Sequence, residues 1–496
     1  MKILIIGLDG ATWKLLDPWI NQGKLPFLAK LKSQGIWGNL QSTIPPLTAP
    51  AWVSFQTGVN PGQHGIFDFV IYQKDGQDKI VESTDIKTPT LYQLLSQANK
   101  TSIFINLPVS YPPQKTKGII ISSLLTPPGK DFASPQKIQK KLKKINYQID
   151  VKFERYGFFT AHQKILENKE NLYQEIVAIT QKRAETALML MKQSWDLFFL
   201  LFRGSDEVQH LYWRKRKTLE YWQLLEKLIK KIYQTAKKKY GKNLYFLIIS
   251  DHGFHKGSKI QFSLTPWLKK KGFIKKAKKE NISLLLARKA YQLTKKFAPL
   301  FIESSPLQKT RKKLLNKELG ENLQFVRSQD VWAASFGLYL NKKDPRLKKR
   351  LISELRKERY QGRKVFKFVK PGEEVFWGKY RQEGPTIVFL SNQNFLPDPG
   401  YFQKKIYQPI AYPLPARHHS DPKGILIALG PGVKRGEVKK VKIYDLAPTI
   451  LALLGIFIPQ KMEGEVIGKL VNKKVKYISE KEKIKTLIEK AIKALK

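Results

Sequence analysis

The chain has 496 residues, 42% of them hydrophobic, which is enough to bury a large core, and it contains no cysteine. Disulfides, thiolate metal sites and cysteine nucleophiles are therefore excluded, and any metal must be held by Asp, His and oxygen ligands. Lys and Arg number 90 against 40 acids, a formal charge of +50; this attracts polyanions at low salt, yet no basic stretch interleaves with a nucleic-acid motif, so specific nucleic-acid binding is not expected.

The first apolar run, KILIIGLDG, ends in an acid, Asp9. It follows a single lysine, without the longer apolar region and small-residue cleavage site of a signal peptide, and reads as the first core strand. No run approaches the roughly 18 apolar residues that cross a bilayer, so a soluble, cytoplasmic chain is expected. Next, STIPPLTAPAWVSF puts Thr48 in a proline-flanked turn ahead of a helix-like run. N–H groups at a helix start favour an anion, and a hydroxyl beside a metal ion can lose its proton near neutral pH and attack. A plain helix cap is the competing explanation for Thr48. His64, in the turn NPGQHG, reads as structural.

TSIFIN and GIIISSL continue the series of apolar strands, and DLFFLLFRGSDEVQH ends just before Asp206 and His210. These two lie four apart, so one helical turn places both on one face. YFLIIS then leads into adjacent Asp251 and His252. Asp beside His suits a borderline divalent ion such as zinc, and strand carboxyl ends are where open α/β sheets assemble ligand sites. Each pair taken singly reads as a helix cap or a loop histidine; three strands finishing on the same ligand types argue for a shared site.

Between Thr265 and about Tyr412 a Lys-rich helical stretch precedes the short strands SFGLYL and TIVFL. Residues 265–411 thus read as an inserted α+β cap, with 1–264 and 412–470 forming the core. GILIALG resumes the sheet, and IYDLAPTILALLG follows as a helix with Asp445 as its N-cap. Ser479 and Glu482 make a capping-box pattern before a one-sided apolar, Lys-rich helix within 471–496, which either packs on the body or rests on an anionic membrane surface. The alternation of strands and helices predicts an α/β fold with a mostly parallel sheet flanked by helices.

The segments GLDGAT, PPLTAPAW, TGVNPGQHGIFDF, NLPVSYPP, GSDEVQHLYW, SDHGF, GPGV and DLAPTIL run in this order from Met1 to about Lys469. Together they resemble the alkaline phosphatase superfamily, in particular its type I phosphodiesterase and nucleotide pyrophosphatase branch and the members described as predicted phosphohydrolases or phosphomutases. The resemblance implies an alkaline phosphatase-like core with two divalent ions, zinc in the first instance and Mn or Mg as alternatives. One ion would be held by Asp9, Asp251 and His252 with Thr48, the other by Asp206, His210 and a late histidine. ARHHSDPKG offers both His418 and His419; His419 is taken as the ligand, and His418 is expected outside direct coordination.

By the same likeness Thr48 is the nucleophile in hydrolysis of a phosphodiester or phosphomonoester through a phosphothreonine. An alcohol in place of water would make the site a phosphotransferase or mutase. Nucleotide pyrophosphatases place an asparagine three residues after the nucleophile, and this chain has Ala51 there, a departure that points away from nucleotide pyrophosphate hydrolysis itself. The implied partner is a small phosphorylated substrate contacted by the insertion, with His255 as an extra histidine near the site. A non-catalytic binder of polyanions or membrane surfaces, suggested by the charge and the last helix, is disfavoured by the intact ligand set.

Overall fold

The computed structural model describes residues 1–73, 78–151, 162–274, 324, 326–401, 403–411, 413–418, 420–471, 475–479 and 482. Nine strands form one large sheet: β1 (Lys2–Leu8), β2 (Ile36–Gln41), β3 (Ser102–Ile105), β4 (Gly118–Ile121), β5 (Ala133–Ser134), β6 (Leu197–Phe202), β7 (Leu244–Ile249), β8 (Lys423–Leu429) and β9 (Gly436–Lys442). Across the sheet they lie in the order β9-β2-β8-β7-β1-β6-β3-β4-β5.

The three central strands β1, β6 and β7 are almost continuously apolar and buried, as strands covered on both faces must be. Alternate residues feed two separate cores. Leu4, Ile6, Phe198 and Leu200 join one, under the helices Lys169–Leu190 and Arg216–Tyr240. Ile3, Ile5, Phe199 and Leu201 join the other, under Thr48–Thr57 and Leu446–Leu453. This is the period-two alternation of a pleated strand.

Strand β1 pairs in parallel with β6 and β7, with Gly7 level with Leu201 on one side and Ile249 on the other. The residues just past these three strands therefore emerge together at one sheet edge. The sheet is mostly parallel; the edge strand β5 runs antiparallel to β4, and inside the sheet β8 runs antiparallel to both β2 and β7. The chain reaches the ligand edge before β8 begins, so β8 departs from that edge where its neighbours β2 and β7 arrive at it.

Between β7 and β8 in the chain lies a separate four-stranded antiparallel sheet of Val331–Ala334, Gly337–Leu340, Ile387–Ser391 and Phe366–Pro371. Helix Pro345–Lys357 buries Leu351, Ile352 and Leu355 in its core. It docks on the NPGQHG turn: Asn60 Nδ2 donates to Trp377 O at 2.9 Å, and Tyr380 N–H to Gly62 O at 2.7 Å. His64 is buried in that turn, with Nε2 3.0 Å from Ser54 Oγ and Nδ1 accepting the Ile66 N–H, a structural role.

Asp445 begins its helix without a side-chain cap bond; its carboxylate accepts the N–H groups of Lys442 and Glu465 and so ties two loops together. The Ser479–Glu482 capping pair is present, with Ser479 Oγ donating to Glu482 Oε2 at 2.7 Å; most of the helix expected after it lies outside the described residues. Among the described residues no helix is long and apolar enough to cross a membrane.

Candidate metal centre

Asp9 leaves the end of β1 and Asp251 the end of the adjacent β7. The turn after Asp9 is fastened from three sides. Ser205 Oγ donates to Asp9 O at 2.7 Å, Gln209 Nε2 to Gly10 O at 2.9 Å, and the Gly10 N–H to Asp251 Oδ1 at 3.1 Å. Gly10 takes φ +66°, and a Cβ there would lie 2.8 Å from the Phe254 ring and 3.1 Å from Asp206 Oδ1. Gly10→Ala should therefore cost about 1–2 kcal/mol in backbone strain alone and displace the carboxylates. A melting curve paired with metal analysis checks this, and an unchanged pair of values would contradict it.

The inward nitrogen of His252, Nε2, lies 3.2 Å from Asp251 Oδ2, 3.3 Å from Thr48 Oγ1 and 3.4 Å from Asp9 Oδ1. A tetrahedral ion with bonds of ~2.0–2.2 Å separates its ligands by about 3.3–3.6 Å, so these are the edge lengths of such a shell. His252 Nδ1 donates to Gly253 O at 3.2 Å. A carbonyl only accepts, so the proton sits on Nδ1 and Nε2 turns a lone pair inward.

The second group is built on helix Gly204–Tyr212, where Asp206 Oδ2 and His210 Nε2 lie 3.4 Å apart. His210 Nδ1 donates to Ala416 O at 2.8 Å, and His418 Nδ1 to Pro46 O at 3.2 Å. Outer bonds of this kind orient metal-ligating imidazoles. One ligand atom each from Asp206, His210 and His418 lie within 4.8 Å of one another, as do those of Asp9, Asp251 and His252. The rings of His252 and His418 stack at 4.0 Å, so the two groups adjoin.

Among the described residues the late histidine grouped with Asp206 and His210 is His418, which was expected outside direct coordination. It follows a two-residue ladder in which Arg417 pairs with His255 and Ala416 with Lys256. Neighbouring residues of an extended segment face opposite ways, and this register turns His418 toward the helix carrying Asp206 and His210. His419 lies outside the described residues.

Burial and charge fit the same picture. Asp9 Oδ1, Asp206 Oδ1 and Asp251 Oδ2 are buried without a hydrogen-bond partner. Burial pushes the Asp9 carboxyl well above the usual range, and repulsion from Asp251 and Asp206 adds to it; burial also raises Asp251. For Asp206 burial acts upward, but the adjacent His210 outweighs it and holds the carboxyl low. Burial keeps His418 neutral. Oxygen and imidazole acceptors converging with no donor among them suit divalent cations.

Thr48 opens helix Thr48–Thr57 and is buried. Leu47 before it supplies no side-chain cap, Pro50 has no N–H, and the Ala51 N–H closes on Leu47 O at 3.0 Å. The N–H groups of Thr48 and Ala49 are therefore the donors at the helix start. His255 is a bracket: its Nδ1 donates to Lys256 O at 2.7 Å and its Nε2 accepts from Ser420 Oγ at 2.7 Å. Burial lowers its pKa to about 4. One residue has no signal in the sequence at all. Arg417 is 4% exposed beside His418, but in a chain with 90 basic residues nothing marks it out.

A model of the family described as type I phosphodiesterase / nucleotide pyrophosphatase matches residues 3–387. Among solved structures, phosphonoacetate hydrolase from Sinorhizobium meliloti 1021 is similar at 14% identity and a TM-score of 0.60, covering 92% of this chain and 95% of that one. Human ectonucleotide pyrophosphatase/phosphodiesterase 5 matches at 15% identity and a TM-score of 0.55, over 95% of this chain and 100% of that one. The alkaline phosphatase PafA matches at 15% identity and a TM-score of 0.54, over 95% and 99%. With an alkaline phosphatase-like fold, a family match over most of its length and two acceptor clusters at one sheet edge, the chain belongs to the type I phosphodiesterase/nucleotide pyrophosphatase family of phosphoric ester hydrolases.

Proposed function

We propose that the enzyme cleaves a small phosphate ester by passing its phosphoryl group through Thr48, beside two divalent ions. Asp9, Asp251, His252 and Thr48 would hold one ion and Asp206, His210 and His418 the other, with zinc favoured by the nitrogen and oxygen donors. The observation that carries this reading is the place of Thr48 Oγ1, 3.3 Å from His252 Nε2 and so in one shell with Asp9 and Asp251. When bound, such ions lower the pKa of a neighbouring hydroxyl and offset phosphoryl charge.

The chain's own groups do the rest. Thr48 Oγ1 gives up its proton and forms the bond to phosphorus while the P–O bond to the leaving group breaks, and the departing oxygen takes up a proton to leave as the alcohol. Water then attacks the same phosphorus, the Oγ1–P bond breaks, and phosphate leaves with Thr48 regaining its proton. The Thr48 and Ala49 N–H groups, free at a helix start, would donate to the phosphoryl oxygens. Ala51 offers them no side-chain donor, which favours esters other than nucleotide pyrophosphates. Quenching turnover in acid and sequencing peptides by mass spectrometry should find phosphate on Thr48; steady turnover with that peptide never modified would remove the covalent step.

Metal affinity should rise with pH. Burial, with repulsion among the acids, holds the Asp9 carboxyl above its ordinary range, and burial does so for Asp251, so an incoming ion displaces protons. The expected dependence is on the order of tenfold per pH unit for each proton released. Calorimetric titration in buffers of different ionisation heat counts those protons, and a pH-independent affinity without proton release would contradict the ligand assignment.

A further inference from the structure

We infer that Arg417 is an anion-binding side chain of the substrate site, receiving a second acidic group, a carboxylate or phosphate, carried by the phosphoryl substrate. The inference rests on the phosphoryl-transfer reading above and names a substrate class for it. Arg417 is 4% exposed, and its Nε and Nη2 are buried with no acceptor.

Other buried arginines are provided for. Arg183 donates to the carbonyls of Leu201 and Ile149, Arg203 pairs with Asp150 at 2.8 Å, and Arg327 pairs with Asp78. Arg417 has neither a carbonyl nor a carboxylate among the described residues. A guanidinium keeps its charge in a protein, and burying a charge without a counter-ion is unfavourable. Its planar fork matches carboxylate and phosphate oxygens.

The surroundings say which anion is missing. Arg417 precedes His418 and pairs across the short ladder with His255, three residues past His252, so it is tied to both ligand groups. Adjacent residues of an extended segment point to opposite sides, so an anion at Arg417 would be a group other than the phosphoryl group attacked by Thr48. Lys14 Nζ lies 2.7 Å from Asp421 Oδ2 and Lys367 Nζ donates to Ser420 O. The acid of this loop, Asp421, is therefore already engaged by Lys14.

Two measurements on Arg417→Met and Arg417→Lys test this. In metal-stripped protein, malonate should raise the melting temperature of the parent and of Arg417→Lys but not of Arg417→Met, and unliganded Arg417→Met should melt above the parent because an uncompensated buried charge is gone. In metal-loaded protein, kcat/KM for 4-carboxyphenyl phosphate should exceed that for phenyl phosphate at least tenfold, and likewise for 4-phosphonophenyl phosphate if phosphate is the preferred group, with each ratio collapsing toward one in Arg417→Met. Equal malonate response in parent and Arg417→Met, or a ratio unchanged by the substitution, overturns the inference. Failure of metal-loaded protein to cleave any of the three esters would count against the phosphoryl reading, while the malonate arm still decides whether Arg417 binds anions.

Discussion

Thr48→Ala is expected to lower turnover by at least about 10³-fold, the scale on which removal of a covalent nucleophile acts, while leaving the protein folded. The fold should survive because Thr48 is the first residue of its helix and, among the described residues, its hydroxyl has one hydrogen-bond partner, His252 Nε2; the loss is about 1 kcal/mol or less. Both ions should stay near full occupancy, since Asp9, Asp251 and His252 remain. Thr48→Ser keeps an oxygen at the same place and should retain part of the rate. Initial rates, circular dichroism and elemental analysis on the three proteins together decide the matter. Parental turnover in Thr48→Ala would mean that water attacks phosphorus directly.

The second large effect concerns the two adjacent histidines. His418→Ala should reduce the ion content from about two per chain toward one after dialysis and lower activity by more than about 100-fold, because even outer-shell changes at metal sites cost 10–100-fold. His210 and Asp206 would be left as a two-residue grip. His419→Ala should keep both ions. Elemental analysis of the dialysed variants reads the difference directly, and a reversed pattern, with His419→Ala losing the ion, would return the ligand role to His419.

Much of this centre is legible in the chain, for a physical reason. Asp9, Asp206 with His210, and Asp251 with His252 each come just after an apolar strand, and parallel strands in register deliver their next residues to one edge. The late histidine breaks that rule. It precedes its strand, so no apolar run ends on it, and its direction depends on the register of a two-residue ladder that carries no hydrophobic pattern.

Strands β2 and β9 are equally hard to see in the sequence. IWGNLQ has no apolar run, and GEVKKVK is an edge strand with a bulge at Lys440, φ 61°, which breaks the alternation of Val438 and Val441. Lysines on such an edge keep it from pairing with other chains. Arg417 is invisible there because burial and the lack of a partner are properties of the folded chain alone.

The order in which β8 enters the sheet has a consequence for how the protein is made. Strand β2 finds neighbours only in β8 and β9, and Gln41 waits for Lys423. At the usual 5–20 residues per second of synthesis the wait is roughly 20–80 s. Throughout that interval the emerging polypeptide holds an unpaired strand near its start and an open flank on β7, the kind of exposed edge that chaperones cover. The same late segment delivers His418. A ribosome-bound chain lacking it would have neither a closed sheet nor a complete second ligand group, so architectural completion and catalytic competence arrive in one event.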